Sequence, residues 1–431
     1  NPAGATTFNG SAAAYQGSIS GLGSIVVNGV RFETTDSVVY DSDDFSTSYD
    51  SNTSTFSSPL ALGMTVALFG DVDDAQSLGR AARIRVVGGV RGTMSAIDTT
   101  ALTLTLPTQT IQLSSATTYG GTSDGTSTGT TISTLAQLAA LAGNPLLTVY
   151  GLSQADGSFL ATRVVVTNAA AHAMDVAIRG TITAIAGSNY TVKTDATHSV
   201  TVTCTSCTIQ PTGATPAVGD AVRALAADIS QWNNSTLNAT RLQLVNASYL
   251  TTFQGAPSSA TYAKIKGVAT WDGTRWWVDG TEVTGVSLTA GTFYEIKGTW
   301  SGSVLAASHV EVEGQRSFTD NNGSSRTYRN EFYGAVSNLS GSSFSVQGVN
   351  VDASSAYFPY GSAASLSNGT FVEVKGSYAN GTLNATKVEI KSASSSNASS
   401  GRVFEMYGQV GAWSGVNSTF NLTRSGVSYT A

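Results

Sequence analysis

The chain has 431 residues, enough for roughly two to four domains of ordinary size. Only 12% of them are charged, with Lys+Arg 22 against Asp+Glu 28, a net charge of −6 and no run of basic residues. Nucleic acid is bound mainly through clustered Lys and Arg, so this composition argues against it as a partner. No stretch of about 18 consecutive apolar residues is present, and we expect no membrane span.

Three landmarks recur along the chain in the same order. A glycine followed by an apolar residue and a short polar turn opens each copy, at Gly17, Gly92, Gly180, Gly267, Gly334 and Gly408. A segment resembling GTFVEVKG comes next. A closing phrase such as LNATKVEI ends each of the first five copies, and its basic residue is Arg83, Arg163, Arg241, His309 or Lys387. This spacing of 68 to 80 residues exceeds a solenoid repeat and predicts small domains.

Each landmark alternates apolar and polar residues with period two, which is typical of half-buried strands. Each of the first five copies contains five such segments, and closing them into a barrel protects the sheet edges. The sequence therefore predicts an all-β chain of tandem five-stranded OB-like barrels, partly open and arranged in a row. In the closing phrase we expect Ala at a crowded corner, Thr and Val facing inward, and the basic residue facing water.

The copies define the predicted domains. These are an N-terminal arm at 1–14, barrels at 15–88, 89–170, 175–247, 262–315 and 326–392, a linker at 393–402 and an incomplete sixth barrel at 403–431. One short helix is expected in the second barrel, with Ser133 or Thr134 as N-cap and Gly143 as its stop. Only 23 residues follow Gly408, so the sixth copy has three strand segments and lacks the last two.

These landmarks resemble an uncharacterised family of bacterial exported domains, found in tandem and thought to be OB-like β-barrels of unknown function. The resemblance covers about Gly17 to Ala431 and implies an exported bacterial protein. It supplies no catalytic or binding residue. The start at Asn1, without Met or an affinity tag, is typical of a processed mature protein and favours an extracellular or cell-surface location.

No motif supports an enzyme. GTSDG at Gly121 matches the pattern of a nucleophile elbow, but it lies in a loop rich in Gly, Ser and Thr instead of between a strand and a helix. Cys204 and Cys207 favour a disulfide in an exported protein, with free thiols or a metal as alternatives. No cofactor is expected. A weak Ca²⁺ hypothesis rests on crowded carboxylates, against the simpler interpretation of solvated turns, at Asp41, Asp43, Asp44, Asp71 and Asp73.

The densest aromatic stretch is WDGTRWWVDG at Trp271. Trp276 and Trp277 point to opposite faces of a strand, so one is expected in the core and the other at the surface. An exposed ring there, near Trp276 and Tyr294, could bind a polysaccharide.

The incomplete sixth copy suggests the leading hypothesis for function. An open sheet is completed either by residues beyond Ala431 or by a strand from another molecule. We therefore expect an extracellular structural protein that forms a filament, sheath or matrix by head-to-tail strand pairing with itself. The alternative is a monomeric surface protein that binds polysaccharide. The expected interface residues lie in the arm and the sixth copy: Phe8, Tyr15, Phe420, Leu422, Val427 and Tyr429.

Overall fold

The structure is a computed structural model. It describes residues 11–34, 37–41, 60–73, 77–126, 128–154, 157–168, 176–210, 213–245, 262–301, 304–312, 316–320, 322–359, 361–391, 409–414, 419–424 and 427–430. Almost all regular elements in these ranges are strands, with one short α-helix, which confirms the predicted all-β class. No helix among the described residues is long and apolar enough to cross a bilayer.

The strands of the first three barrels follow the chain. Barrel 1 contains β1 (Ser11–Gly21), β2 (Ile25–Val27), β3 (Val30–Glu33), β4 (Val38–Asp41), β5 (Thr65–Asp73) and β6 (Leu78–Val86). Barrel 2 contains β7 (Val90–Thr93), β8 (Ala96–Asp98), β9 (Thr103–Leu106), β10 (Gln109–Gln112), β11 (Thr118–Gly120), α1 (Leu135–Ala139), β12 (Leu146–Ser153) and β13 (Phe159–Val166). Barrel 3 contains β14 (Val176–Ala186), β15 (Asn189–Lys193), β16 (Ser199–Thr203), β17 (Thr208–Gln210), β18 (Ala221–Ala226), β19 (Trp232–Asn233), β20 (Thr236–Asn238) and β21 (Arg241–Leu244).

The remaining strands form two barrels, a hairpin and a small sheet. Barrel 4 contains β22 (Tyr262–Trp271), β23 (Trp276–Val278), β24 (Thr281–Thr284), β25 (Phe293–Ser301) and β26 (Val304–Val312). A hairpin of β27 (Arg316–Thr319) and β28 (Ser325–Tyr328) follows. Barrel 5 contains β29 (Asn330–Ser340), β30 (Ser343–Val346), β31 (Val349–Asp352), β32 (Phe371–Ala379) and β33 (Thr382–Ile390). The C-terminal sheet contains β34 (Gln409–Ser414), β35 (Thr419–Arg424) and β36 (Val427–Thr430).

The barrels share one strand order. In barrel 5, β29 pairs with β30 and β32, β30 pairs with β31, and β33 joins β31 to β32, which closes the ring. The contact between the third and fifth strands is the parallel one, and it recurs between β3 and β6 in barrel 1 and between β24 and β26 in barrel 4. The prediction of tandem five-stranded OB-like barrels is confirmed. The rings are closed rather than partly open, because hydrogen bonding across the last gap leaves no unpaired edge.

The closing phrase forms a β-bulge at the same place in four barrels. In barrel 5, Lys375 pairs with Lys387 and Gly376 with Ala385, so Thr386 is the extra residue. Its hydroxyl donates to the carbonyl oxygen of Lys375 at 3.1 Å. The expectation that this Thr faces inward is therefore corrected: Ala385 and Val388 are buried, and Thr386 ties the bulge to the neighbouring strand.

The basic residue of the closing phrase is exposed in barrel 4 and half-buried in the other barrels. His309 is exposed, as expected. Arg163 instead lies where barrels 1 and 2 meet, and its Nη1 donates to the carbonyl oxygen of Leu62 at 3.1 Å. Arg163 is half-buried, not solvent-exposed as predicted, and this burial lowers its pKa.

The barrels form a packed block rather than a row. Strand β1 of barrel 1 pairs in parallel with β22 of barrel 4, and Gln16 lies opposite Ile265. Strand β7 of barrel 2 pairs with β14 of barrel 3 through Arg91 and Ala177. Barrel 5 lies on barrel 1, where the backbone nitrogen of Tyr333 donates to the carbonyl oxygen of Leu22 at 2.8 Å. Barrels far apart in sequence are thus neighbours in space.

A buried chain of polar side chains links four barrels, and we call it the polar junction: Gln16, Ser153, Arg179 and Asp279. Gln16 Nε2 donates to Asp279 Oδ2 at 2.7 Å, and the Ser153 backbone nitrogen donates to Asp279 Oδ1 at 3.0 Å. Arg179 Nη2 donates to Ser153 Oγ at 2.9 Å, and its Nη1 donates to the carbonyl oxygen of Gly88 at 3.0 Å. Each side chain comes from a different barrel, so the junction fixes their relative positions.

Two local predictions meet the structure directly. The helix is α1, and Thr134 is its N-cap with a capping box to Gln137. It ends at Ala139, before the predicted stop at Gly143. Strand β1 begins at Ser11 and pairs with β5 from there, so the end of the predicted 1–14 arm lies inside barrel 1.

Candidate functional site

The tryptophan hairpin, residues 271–277 around the turn between β22 and β23 of barrel 4, carries the predicted ligand residues. Trp271 and Trp276 pair across the hairpin, and their ring centroids are 4.9 Å apart. Trp276 packs against the core of barrel 4, whereas Trp271 is 48% exposed. The two rings form an aromatic surface at one end of the barrel, and the outer ring is open to a ligand.

Trp277 occupies the opposite face, because neighbouring strand residues alternate. Its Nε1 donates to Asp272 Oδ2 at 2.8 Å, and the Arg275 guanidinium lies 4.8 Å from its ring centroid. Arg275 Nη1 also contacts Glu282 Oε2 at 3.2 Å. The ring is therefore held in place from its edge and from one face.

Asp272 organises the turn of this hairpin. Its Oδ1 accepts hydrogen bonds from the backbone nitrogens of Thr274 and Arg275, each at 2.8 Å. The Trp277 indole hydrogen bond, followed by these turn contacts, lowers the pKa of Asp272. The turn thus keeps a charged carboxylate beside Trp277 at neutral pH.

A cleft opens beside Trp277 where barrels 2, 3 and 4 meet. It has a volume of about 110 Å³, and its walls include Gln154, Thr181, Gly219 and Thr270 as well as Asp279. A Cβ added at Gly219 would lie 3.9 Å from the Trp277 ring, so the ring and the glycine backbone face each other closely. This places Trp277 in an inter-barrel crevice, while Trp271 presents the freely exposed ring.

The C-terminal sheet is a second candidate site. Strand β35 pairs with β34, bringing Phe420 opposite Trp413, and with β36, bringing Leu422 opposite Tyr429. Val427 pairs with Arg424 across a two-residue connection, as Val349 pairs with Val346 in barrel 5. Within the described parts of the chain, no strand pairs with the outer edge of β34 or of β36.

The arm residues predicted for the interface fall in two places. Phe8 lies outside the described residues. Tyr15 is completely buried in barrel 1, where its ring meets Phe32 edge-on at 5.1 Å. This corrects its predicted interface role, because Tyr15 could reach another subunit only by leaving the barrel 1 core.

The predicted calcium ligands are not brought together in the described residues. Asp43 and Asp44 lie outside them. Asp41 pairs with Val86 at one end of β6, whereas Asp71 pairs with Arg80 nearer the other end. Six residues of an extended strand separate these positions by about 20 Å. No group of three or more His, Cys, Asp or Glu side chains suited to a metal occurs in the described part of the chain.

Cys204 and Cys207 are joined as a disulfide in the structure, with their Cα atoms 4.9 Å apart. That separation lies in the ordinary range for disulfides. Both residues pack at the edge of the barrel 3 core, so the bridge closes the turn that follows β16. Tyr294, expected near the exposed aromatics, is instead buried, and its hydroxyl accepts a hydrogen bond from the Thr289 backbone nitrogen at 3.1 Å.

Comparison with known families identifies the repeated unit. Residues 16–85, 91–165 and 333–389 match a family described as Domain of unknown function (DUF5666). Three segments of the chain are thus similar to this domain family. They coincide with barrels 1, 2 and 5, which confirms the resemblance to uncharacterised tandem barrel domains. Barrels 3 and 4 lie outside the matched segments, yet their strand pairings repeat the DUF5666 ring. A search of curated proteins found no match to the chain.

The sequence interpretation missed the most exposed aromatic residue among the side chains that the structure describes. Trp271 was placed among neighbouring tryptophans without a role, although it is the exposed ring of the hairpin. The signal was available: Asp272-Gly273 next to Trp271 marks a turn, and residues that flank a hairpin turn pair across it. Asp272 was missed for the same reason.

Proposed function

We propose that this chain is a non-enzymatic structural subunit of an extracellular bacterial assembly, joined head to tail by strands that one copy adds to the C-terminal sheet of the next. The observation that carries the proposal is the correspondence between β34–β36 and the first three strands of barrel 5. Both have a bulged first pair and a two-residue second connection.

The edges of this sheet are the proposed contact. In barrel 5 the outer edge of β29 bonds to β32, and the outer edge of β31 bonds to β33. The equivalent edges are those of β34 and β36, which have no partner among the described residues. Exposed edges attract added strands because their backbone groups remain unbonded. The residues ahead of Ser11 are the proposed donor, and a contact between unlike surfaces propagates into a filament.

Two further observations support an extracellular location. The Cys204–Cys207 disulfide suits an oxidising compartment. The low content of charged residues, 12%, is below the roughly 25% of an ordinary soluble domain.

The test removes one edge hydrogen bond. In a two-residue hairpin the closing pair, here Arg424 and Val427, is hydrogen-bonded, so the amide of Ser428 points away from β35. Ser428→Pro should therefore block strand addition while β35 and β36 stay paired, and Ser428→Thr should assemble like the parent chain. Analytical ultracentrifugation and electron microscopy measure the assembly.

A mixing experiment tests the donor segment and the acceptor sheet separately. A chain lacking residues 1–10 keeps β1 intact and retains an open acceptor, whereas Ser428→Pro retains the donor. Each alone should stay monomeric, and the mixture should stop at dimers. A parent chain that remains monomeric, or a Ser428→Pro chain that polymerises normally, would contradict the proposal. So would a C-terminal barrel completed by further residues of the same polypeptide, which the intact mass of the native protein would detect.

A second candidate function, polysaccharide binding, is favoured by the exposed ring of Trp271, which packs against Trp276. Sugars bind proteins by laying an apolar ring face on an aromatic side chain while nearby polar groups bind the hydroxyls. Asp272 and Arg275 of the hairpin and Glu282 of the adjacent strand β24 supply such groups.

Replacing Trp271 with alanine should weaken binding of neutral oligosaccharides by roughly tenfold. Val312→Ala is the matched control, since Val312 is also exposed on barrel 4 and lies outside the hairpin. Titration of cello- and chito-oligosaccharides, followed by tryptophan fluorescence and calorimetry, measures the change. Equal affinities for the two variants, or no binding by the parent chain, would remove this function.

A further inference from the structure

A second inter-barrel groove lies on a different part of the block, and its walls come from barrels 1, 2, 4 and 5. Its volume is about 370 Å³, within the usual 300–1,000 Å³ of small-molecule sites. Barrel 3 and the tryptophan hairpin contribute nothing to it. The groove exists only because distant barrels pack together.

Hydrogen bonds between barrels and within barrel 5 hold the walls of the groove in place. Asn330 Nδ2 donates to the carbonyl oxygen of Ser20 at 3.0 Å, and Asn330 Oδ1 accepts from the backbone nitrogen of Tyr378 at 2.9 Å. Thr162 Oγ1 donates to the carbonyl oxygen of Gly63 at 2.6 Å. These contacts preorganise the groove, so a ligand need not order it.

The charge of the lining is positive, although the whole chain is acidic. Lys266 of barrel 4 and Arg329 of barrel 5 line the groove, and no Asp or Glu does. Lys266 lies opposite Glu295 in the β22–β25 register, and its Nζ lies 5.7 Å from the centroid of the Phe293 ring. Arg329 is exposed and makes no salt bridge within the described residues. The residues that line the groove thus include two cationic side chains and no carboxylate, a charge that favours an anion.

The rest of the lining suits a polyhydroxylated ring. Phe293 and Tyr378 provide aromatic walls. Burial raises the pKa of Tyr378, with Arg163 acting in the opposite direction, so its hydroxyl remains a donor at neutral pH. The other polar residues of the lining are Ser18, Ser20, Ser114, Thr118, Thr162 and Asn330.

We propose that this groove binds a negatively charged sugar residue of an acidic polysaccharide, with Arg329 and Lys266 holding its carboxylate or sulfate group and Phe293 packing against its ring. The proposal rests on neither strand addition nor the tryptophan hairpin. A protein that both assembles and holds acidic glycans would cross-link a matrix.

The experiment measures binding of a short oligogalacturonate and of a sulfated oligosaccharide by calorimetry at low and physiological salt. The parent chain should bind at least one of them, and added salt should weaken the binding. Arg329→Gln and Phe293→Ala should each reduce the affinity by roughly tenfold. Arg83→Gln is the control, because it removes the same charge from β6 of barrel 1, outside the groove.

The competing outcomes are distinct. Equal binding of a neutral oligosaccharide would exclude recognition of the charge, and equal binding of polyglutamate would exclude recognition of the sugar. Unchanged affinity in Arg329→Gln and Phe293→Ala, with unaltered melting temperatures, would place the ligand elsewhere and overturn the proposal. Absence of binding to either acidic oligosaccharide would do the same.

Discussion

Replacing Arg179 with alanine is expected to lower the free energy of unfolding by about 3–5 kcal/mol, because it breaks a buried charged network from one side. Arg179 is 1% exposed, and its guanidinium bonds to Ser153 and to the backbone of Gly88. Asp279, on the far side of Ser153, would be left in a buried site without a positive charge to offset its own.

The pKa values show the same tension between burial and charge. Burial raises the pKa of Asp279, and the nearby Arg179, together with the hydrogen bonds from Gln16 and Ser153, acts against that rise. Burial lowers the pKa of Arg179 to about 10, with Asp279 acting in the opposite direction. Each group therefore helps to keep the other ionised.

Urea unfolding of the parent chain and four variants would test this prediction. The double variant Arg179→Ala with Asp279→Asn should lose less than the sum of the two single changes, since both act on one network. Arg83→Ala, a change at a half-buried arginine outside the network, should cost about 0.5 kcal/mol or less. An Arg179→Ala chain as stable as Arg83→Ala would show that the polar junction does not hold the barrels together.

Replacing Gly23 with alanine should separate barrel 5 from barrel 1, at a cost of at least about 2 kcal/mol. Gly23 has a φ of +106°, and a Cβ there would lie 2.1 Å from the carbonyl oxygen of Tyr333. The same contact carries the bond from the Tyr333 backbone nitrogen to Leu22 and the Arg31 guanidinium 4.6 Å from the Tyr333 ring centroid. A methyl group at Gly23 would therefore disrupt the close approach to Tyr333, the backbone hydrogen bond from Tyr333 to Leu22 and the contact between Arg31 and the Tyr333 ring.

Gly341→Ala provides the matched control for this interface. Gly341 also has a positive φ, +62°, but a Cβ there would have nothing within 4 Å. It should cost about 1 kcal/mol from backbone strain alone and leave the barrels docked. Hydrogen exchange of β29 and thermal unfolding distinguish the two variants: Gly23→Ala should give a separate, earlier transition for barrel 5. Identical behaviour of the two glycine variants would exclude the interface as the cause.

The type of some turns in the repeat is predictable from local sequence alone. Asn28-Gly29 and Asp279-Gly280 each join two strands through two residues with positive φ, 45° and 73° in the first pair and 45° and 72° in the second. Asn-Gly and Asp-Gly are the strongest signals for this type of hairpin turn. The bulge in the closing phrase was harder to foresee, because strict alternation assigns Thr386 to the wrong face.

The candidate sites were predicted unevenly. The tryptophan hairpin could be predicted because its aromatic residues are contiguous in sequence. The structure does not bring the predicted calcium ligands Asp41 and Asp71 together, because they pair with residues at distant positions on β6. The groove between barrels 1, 2, 4 and 5 has no sequence signal, since Ser18, Thr162, Phe293 and Arg329 share no motif.

The sequence by itself determined the unit: alternating apolar residues, glycine-containing turns and the repeated closing phrase define a five-stranded barrel, since strand pairing within each copy is local. Only the tertiary structure decided how the barrels pack. Asp279 contacts Gln16, 263 positions away, through surfaces that no periodic pattern marks. Contacts between barrels depend on the shape and charge of surfaces assembled from several segments, so they cannot be predicted from the sequence of any one barrel.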